Sequence, residues 1–376
     1  MRKKCGLFTR KLLYKPDAIL QHERSKPVMK LAGKAKAWER HQKAVPTVDE
    51  PGGKVWGCFR SCFLQSAAPY TEGIAYKILK NDLGMELREA PGHTSCGAIG
   101  YHGDVSNLET QMVMAARNFS VAHHDLGVDN LFSFCVTSFA NYTEMIKLWE
   151  EEPELREYTE KTLKATTGRD LWIPHVSGGR PSVVHASDVF FANRHKLAAK
   201  AKYSLKGIKA TDHVGCHYAK IFPEEAMGGA EFPQVLVGML EAFGAEIVDY
   251  PERRHCCGMG FRQCAFPENR DYTAGSVYKK LKSLTESHPD CKLILTNCPG
   301  CTVFLDAEQG TIKDVLEEEF NVSILDYAQL TGLLLGYDPF KDCGLNAKAV
   351  AIEPLLDMIG IPYDKSKTAE ERRRPF

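Results

Sequence analysis

No uninterrupted apolar stretch in the 376 residues approaches the ~20 needed to cross a bilayer as a helix, so no membrane span is expected. There is no excess of either charge: 48 Lys and Arg balance 48 Asp and Glu, and nothing global draws the chain to nucleic acid. No G-x-G-x-x-G fingerprint follows an apolar strand-like run, which excludes the usual flavin or NAD site. The basic N-terminus lacks the apolar core and small-residue cleavage site of a secretory signal. What is plentiful is cysteine, thirteen in all. In a chain without a secretory leader that number points to metal ligands in a reducing cytoplasm, not to a disulfide framework. The length suffices for two domains with their own cores, and 44% apolar with 26% charged residues is ordinary for a globular protein.

Five of the cysteines fall in three groups in the second half: Cys216, Cys256-Cys257, and Cys298 with Cys301. Each group lies just past an apolar run (Thr211–Val214, Ala245–Tyr250, Leu293–Thr296) that reads as a buried strand, and helical periods separate the runs. In an open α/β sheet the carboxyl ends of the strands share one crevice, so three strand ends would deliver five sulfurs to one place. A structural zinc site needs only four ligands, and adjacent cysteines suit it poorly. Iron–sulfur clusters take thiolates and, with more than one metal, have room for a fifth. Gly258 and Gly260 allow a tight turn beside the metal, and Pro299 suits the first turn of a helix whose amide end would face an anionic group. Buried reduced cysteines acting as small hydrophobes are the bland alternative.

The pattern Cys-x39-Cys-Cys-x40-Cys-x-x-Cys resembles the cysteine-rich CCG domain of the heterodisulfide reductase B subunit, with slightly long gaps. The resemblance runs from about Val55 to Leu356. It implies an α/β fold of two tandem Rossmann-like CCG units. It also implies a non-cubane [4Fe-4S] cluster, held by Cys216, Cys256, Cys257, Cys298 and Cys301, that cleaves or forms disulfides. Electrons would come from a flavin-carrying A subunit and an iron–sulfur C subunit. A single intact site resembles the B-type subunits of the heterodisulfide-reductase-like complexes of sulfur oxidisers, whose substrate would sit on a lipoate-bearing carrier. A double site would suit the coenzyme M–coenzyme B heterodisulfide.

The first half repeats the second, which marks an internal duplication. Gly57-Cys58 is aligned with Gly215-Cys216, Ser95-Cys96-Gly97 with Cys256-Cys257-Gly258, and Cys135-x-x-Ser138 with Cys298-x-x-Cys301. Between them, Tyr70–Leu83 reads as a helix stopped at Gly84, Met85–Ala90 as a strand, Asn107–Leu126 as a long helix and Asn130–Phe134 as a strand. On this alignment the first copy keeps Cys58, Cys96 and Cys135 and has serine at two places. Three readings stay open: an empty site, a cubane [4Fe-4S] with Cys62 or a non-cysteine fourth ligand, or zinc with water or His93. His123-His124 reads as an exposed helix face.

Residues 1–53 form a basic arm and Pro/Gly linker, 54–206 the degenerate unit, 207–362 the intact unit and 363–376 a charged tail. The arm is read as solvated or as docking on an acidic partner. Glu151–Lys164 is expected to be helical, Gly178–Pro181 a turn, and Val183–Val189 a strand and cap matched by Val322–Tyr337. Disulfide chemistry needs proton donors; His255, His217 and Tyr218 adjoin the cysteines and are the candidates, with Lys220 and Arg262 available for an anionic substrate. The competing functions are a non-catalytic electron-transfer or assembly subunit of a respiratory complex and a zinc-stabilised scaffold.

Overall fold

The computed structural model describes residues 55–89, 91–102, 105–128, 130–174, 183–222, 226–230, 232–260, 269–367 and 371. The basic arm, the Gly178–Pro181 turn and Arg262 lie outside them.

Two four-stranded, all-parallel sheets have the same strand order. The first is β2-β1-β3-β4, from β1 (Val55–Phe59), β2 (Glu86–Arg88), β3 (Asn130–Ser133) and β4 (Val184–His185). The second is β6-β5-β7-β8, from β5 (Lys209–His213), β6 (Glu246–Ile247), β7 (Leu293–Thr296) and β8 (Ser323–Asp326). Parallel strands need covered faces, and β3, β7 and β8 are accordingly buried along their length. The edge strand β6 is two residues long, not six: the Val248 amide makes a last bond to the Ala210 carbonyl of β5, and the chain then turns at residues 251–254 ahead of the cysteine pair.

Each strand end feeds a helix. In the first unit these are α1 (Cys62–Ala67) and α2 (Pro69–Lys77) after β1, α3 (Ala98–His102) and α4 (Leu108–Leu126) after β2, α5 (Val136–Glu151) and α6 (Pro153–Thr167) after β3, and α7 (Ala186–Ala192) and α8 (Arg194–Lys200) after β4. In the second they are α9 (Cys216–Ala219) and α10 (Val237–Ala242), α11 (Asn269–Ser287), α12 (Pro299–Leu316), α13 (Tyr327–Leu335) and, beyond the sheet, α14 (Glu353–Ile359). Asn107 caps α4 by accepting from the Thr110 amide, and Gly127 ends it in the left-handed region. Asp326 and Gln329 form a capping box on α13, which stops at Gly336. The helix expected over Tyr70–Leu83 is present but widens into a π-turn from Ile78 to Asp82.

The units meet as pseudo-equivalents. α2 of the first packs on α13 of the second, and α10 of the second packs on α7 of the first. α5 meets α9 and α1 meets α12, so each unit's strand-end helices touch the other's. One apolar core therefore runs through both sheets, from Trp56 and Phe132 to Leu293 and Leu330. A second cluster (Met112, Phe119, Tyr142, Trp149) fills the outer face of the first sheet.

His185 ends β4 at the heart of this interface, fully buried, its Nδ1 accepting from the Ser187 amide. Burial drives its pKa down to about 3. A depressed histidine stabilises the fold above its unfolded pKa and loses that contribution as pH falls toward the folded value. Its contribution to stability should therefore drop by roughly 2 kcal/mol between pH 6.5 and pH 5. Urea midpoints of His185→Asn, which keeps a capping group, should lack that component; the same pH slope in both proteins would contradict the assignment.

Candidate metal centre

Strand pairing sets the correspondence between the units. Phe59 lies opposite Ser133 and His213 opposite Thr296, and those partners stand two residues before Cys135 and Cys298 respectively. Cys216 is the third residue past His213 and opens α9; the third residue past Phe59 is Cys62, which opens α1. The counterpart of Cys216 is thus Cys62, not Cys58. Cys58 sits on β1 opposite Phe132, fully buried in the inter-unit core, and its place in the second unit is taken by Asp212. Burial, then Glu89 and Glu72, push its thiol well above the ordinary range.

In the second unit the five sulfurs assemble from three loops. Cys257, Cys298 and Cys301 are buried; Cys216 and Cys256 are exposed at the mouth. The Cys301 Sγ lies 3.2 Å from the Cys257 Sγ. A metal with 2.3 Å bonds in tetrahedral geometry sets two sulfurs about 3.8 Å apart, so little movement separates this pair from ligation. Gly258, at φ 78°, turns the chain after the cysteine pair, and its amide donates to Cys256 Sγ at 3.3 Å. Gly215 has no room for a side chain: a Cβ there would stand 2.7 Å from the Cys298 Cβ. Asn297 locks the two loops by accepting from the Gly215 amide at 3.0 Å. Cys298 is the N-terminal cap of α12, with Pro299 in the first turn, as the spacing implied.

The sulfurs share protons unevenly. Cys257 is held well below the ordinary thiol range because Cys256, Cys301 and His213 all stabilise its thiolate. With that charge in place, Cys256 and Cys301 are driven up, and burial with Cys298 pushes Cys216 up to about 11. Deprotonating the remaining thiols beside that charge needs positive charge, which a multinuclear metal group would supply. Five sulfurs at three strand ends, one pair already within 3.2 Å, fit an iron–sulfur group.

Sequence reasoning missed His213. It ends β5, is buried, and its ring nitrogen lies within 4.8 Å of both Cys257 and Cys301; among the described residues these three form the one cluster of ligand-type side chains this tight. The first unit's thiols are not gathered in this way. Cys96 is bonded to Ser138 where the second unit has a cysteine, and Cys135 is pushed up to about 12 by burial, Cys96 and Cys298. A cavity of about 330 Å³ opens beside Cys62, lined among others by Arg60, Glu89, His93 and Ser95. The matching gap beside Cys216 holds about 20 Å³.

The three candidate proton donors separate. His217 is half-buried at the boundary between units, its Nδ1 2.8 Å from Thr137 Oγ1 and its ring 5.4 Å from His102. Burial, then His102, lower its pKa. His255 lies 3.5 Å from Glu252 and 3.2 Å from Ser276 Oγ. Tyr218 is fully buried, and its hydroxyl is bonded to Asp188 inside the core. Two residues along a helix is about 200° of rotation, so a side chain two places after Cys216 faces away from it; Tyr218 is a core residue, not a proton donor at the mouth. His124 is exposed as expected, while His123 stacks on Trp172 at 4.7 Å. Lys220 is exposed beside Cys216.

Comparison with known proteins agrees with the internal duplication. The CCG cysteine-rich domain profile matches residues 56–139 and again 210–306. The B subunit of ferredoxin:CoB-CoM heterodisulfide reductase from Methanosarcina acetivorans is 30% identical over 81% of this chain and 95% of its own length. A protein of Archaeoglobus profundus described as like the heterodisulfide reductase B subunit is 27% identical over 77% of this chain and 93% of its own. The 8-methylmenaquinol:fumarate reductase membrane anchor subunit of Wolinella succinogenes is 27% identical over 79% and 97%. In fold alone, a hypothetical protein from Helicobacter pylori superposes with a TM-score of 0.56 at 11% identity, over 86% of this chain and 58% of that one. No helix among the described residues is long and apolar enough to cross a membrane. With the cysteine pattern, the twin parallel sheets and this likeness together, the chain belongs to the B-subunit family of heterodisulfide reductases, the paired CCG-domain proteins.

Proposed function

We propose that the chain is the thiol–disulfide redox subunit of a heterodisulfide-reductase-like complex, with a non-cubane [4Fe-4S] cluster on Cys216, Cys256, Cys257, Cys298 and Cys301. The observation that carries this reading is the convergence of five sulfurs from three strand ends, with Cys257 and Cys301 at 3.2 Å. Bound there, the cluster supplies one-electron steps to the two-electron cleavage or formation of a sulfur–sulfur bond. The protein does the rest. Cys257, Cys298 and Cys301 anchor from the buried side, and Cys216 and Cys256 border solvent, where a substrate sulfur approaches. His217 and His255 adjoin those two exposed thiols and carry protons to or from substrate sulfur. Lys220 offers charge to an anionic substrate. With one intact site, the substrate is read as sulfur on a lipoate-bearing carrier in the cytoplasm, and electrons pass through flavin A-type and iron–sulfur C-type subunits.

Reduced anaerobically and given a small disulfide, the protein should release two thiols per disulfide consumed. Cys216→Ser, which removes a ligand at the mouth, should slow this about a hundredfold. An unchanged rate in that variant would contradict a substrate approach at Cys216.

The likeness to the Wolinella anchor subunit favours one second reading, an electron-transfer or assembly subunit of a respiratory complex. A centre that binds no thiol, with no disulfide turnover, would support it.

A further inference from the structure

The two units differ beneath their cysteine loops as much as in the cysteines themselves. In the second unit, Lys280 of α11 is wholly buried and donates to the carbonyls of Glu252, Arg253 and His255 at 3.2, 2.6 and 3.4 Å. It thus clamps the loop that ends in Cys256-Cys257. Burial, and after it Arg254, draw its pKa down to about 7, while Asp212, Cys301 and Cys257 work the other way. On the other side of that loop, Arg253 and Arg254 reach back to Asp212, itself fully buried, at 2.7 Å each. Burial alone would raise the Asp212 carboxyl; the two guanidiniums, Arg254 first, outweigh it and keep it ionised. Against Lys280, Arg253 and Arg254 stand the buried Asp212 and the exposed Asp249, 3.3 Å from Arg253, so the buried charges beside the loop that carries Cys256 and Cys257 are mostly positive.

The first unit has the same clamp without the charge. Asn118 of α4, also fully buried, donates to the carbonyls of Thr94 and Ser95 at 3.3 Å each. Asp212 is replaced by Cys58, as the strand register shows, and the two residues matching Arg253 and Arg254 in spacing to the cysteine pair are Gly92 and His93. His93 is neutral, its pKa lowered to about 4 by burial. The other charges near Cys58 are Arg60, paired with Glu72 and Glu89, which add no positive balance. All four positions that carry charge in one unit are neutral in the other.

An anionic, thiolate-bound centre in a buried site is stabilised by fixed positive charge, and its reduction potential follows local charge and hydrogen bonding. We infer that Lys280, with Arg253 and Arg254 on Asp212, is a charge-bearing cradle that loads the second site and raises the potential of its centre, and that the first unit, lacking it, is built to hold no cluster. This rests on the cluster reading above. Lys280 is a positioning residue: it touches the loop, not the reacting atoms.

The test uses the full chain, prepared anaerobically as wild type, Lys280→Arg and Lys280→Gln, with iron and sulfide assays and an EPR-monitored redox titration. Both variants keep donors for the carbonyls, but only arginine keeps the charge. Lys280→Arg should stay near wild type. Lys280→Gln should either lose its iron or show a lower potential, the oxidised-to-reduced ratio rising at least tenfold at fixed poise, which is about 59 mV for one electron. Equal potentials in the two variants, or equal loss of iron from both, would overturn the inference by making the lysine a clamp alone. A wild type that takes up no iron would instead defeat the cluster reading itself.

Discussion

Cys257→Ser is expected to lower iron content by at least about tenfold while leaving the far-ultraviolet circular dichroism unchanged. Cys257 is the sulfur on which the set converges: buried, 3.2 Å from Cys301, within ligand range of His213, and the first of the group to ionise. Serine keeps the volume but not a thiolate, so the fold has little reason to fail. Cys62→Ser is the control. It makes the same change at the exposed position that matches Cys216 in the first unit, and should leave iron unaltered within error. Iron retained in Cys257→Ser, or lost equally from Cys62→Ser, would place the metal elsewhere.

Gly258→Ala should cost about 3 kcal/mol and release the cysteine pair. Two effects add. A left-handed backbone costs a non-glycine residue about 1–2 kcal/mol, and forced overpacking commonly costs about 1–3 more. The new Cβ at φ 78° would stand 2.9 Å from the Thr273 Cα and 3.1 Å from its carbonyl oxygen, so α11 backbone must move. Thr273 also donates to the Gly258 carbonyl at 3.0 Å, which ties that movement to the loop. The pseudo-equivalent Gly97, at φ 77°, meets the ends of the Gln111 and Met114 side chains and no backbone; Gln111 is buried and its Nε2 donates to the Cys96 carbonyl, so moving it breaks that bond but leaves the helix in place. Gly97→Ala should therefore cost less, about 2 kcal/mol, from left-handed strain and one hydrogen bond. Urea unfolding of the two variants gives the comparison directly; equal losses would show that contact with α11 backbone contributes little.

Much of this was legible in the sequence because it rests on local rules. Buried parallel strands leave short apolar runs, and Leu293–Thr296 became β7 residue for residue. Asn107, Gly127 and Gly336 punctuate helices by chemistry that needs no tertiary context. The duplication was visible in the CCG and CxxC spacings. The error at Cys58 has a simple cause: Gly57-Cys58 imitates Gly215-Cys216 as a dipeptide, and only strand register shows that one cysteine ends inside a strand while the other opens a helix. Tyr218 was placed by adjacency in sequence, which a helix turn undoes. Lys280 and Asn118 were invisible for another reason. A lysine or asparagine within a long helix reads as surface, and nothing local says that carbonyls from a loop 23–28 residues upstream will converge on it. His213 was hidden likewise, since ligand range to Cys257 and Cys301 arises only when three strand ends align.

The most direct test of a single cluster at the second site is iron, acid-labile sulfide and zinc in protein purified without oxygen, with EPR of the oxidised form before and after a thiol is added. The expected result is about four iron and four sulfide per chain, one cluster and not two, with a signal that changes when thiol binds. Zinc alone, without iron or sulfide, would contradict it and leave a structural module in place of a redox centre.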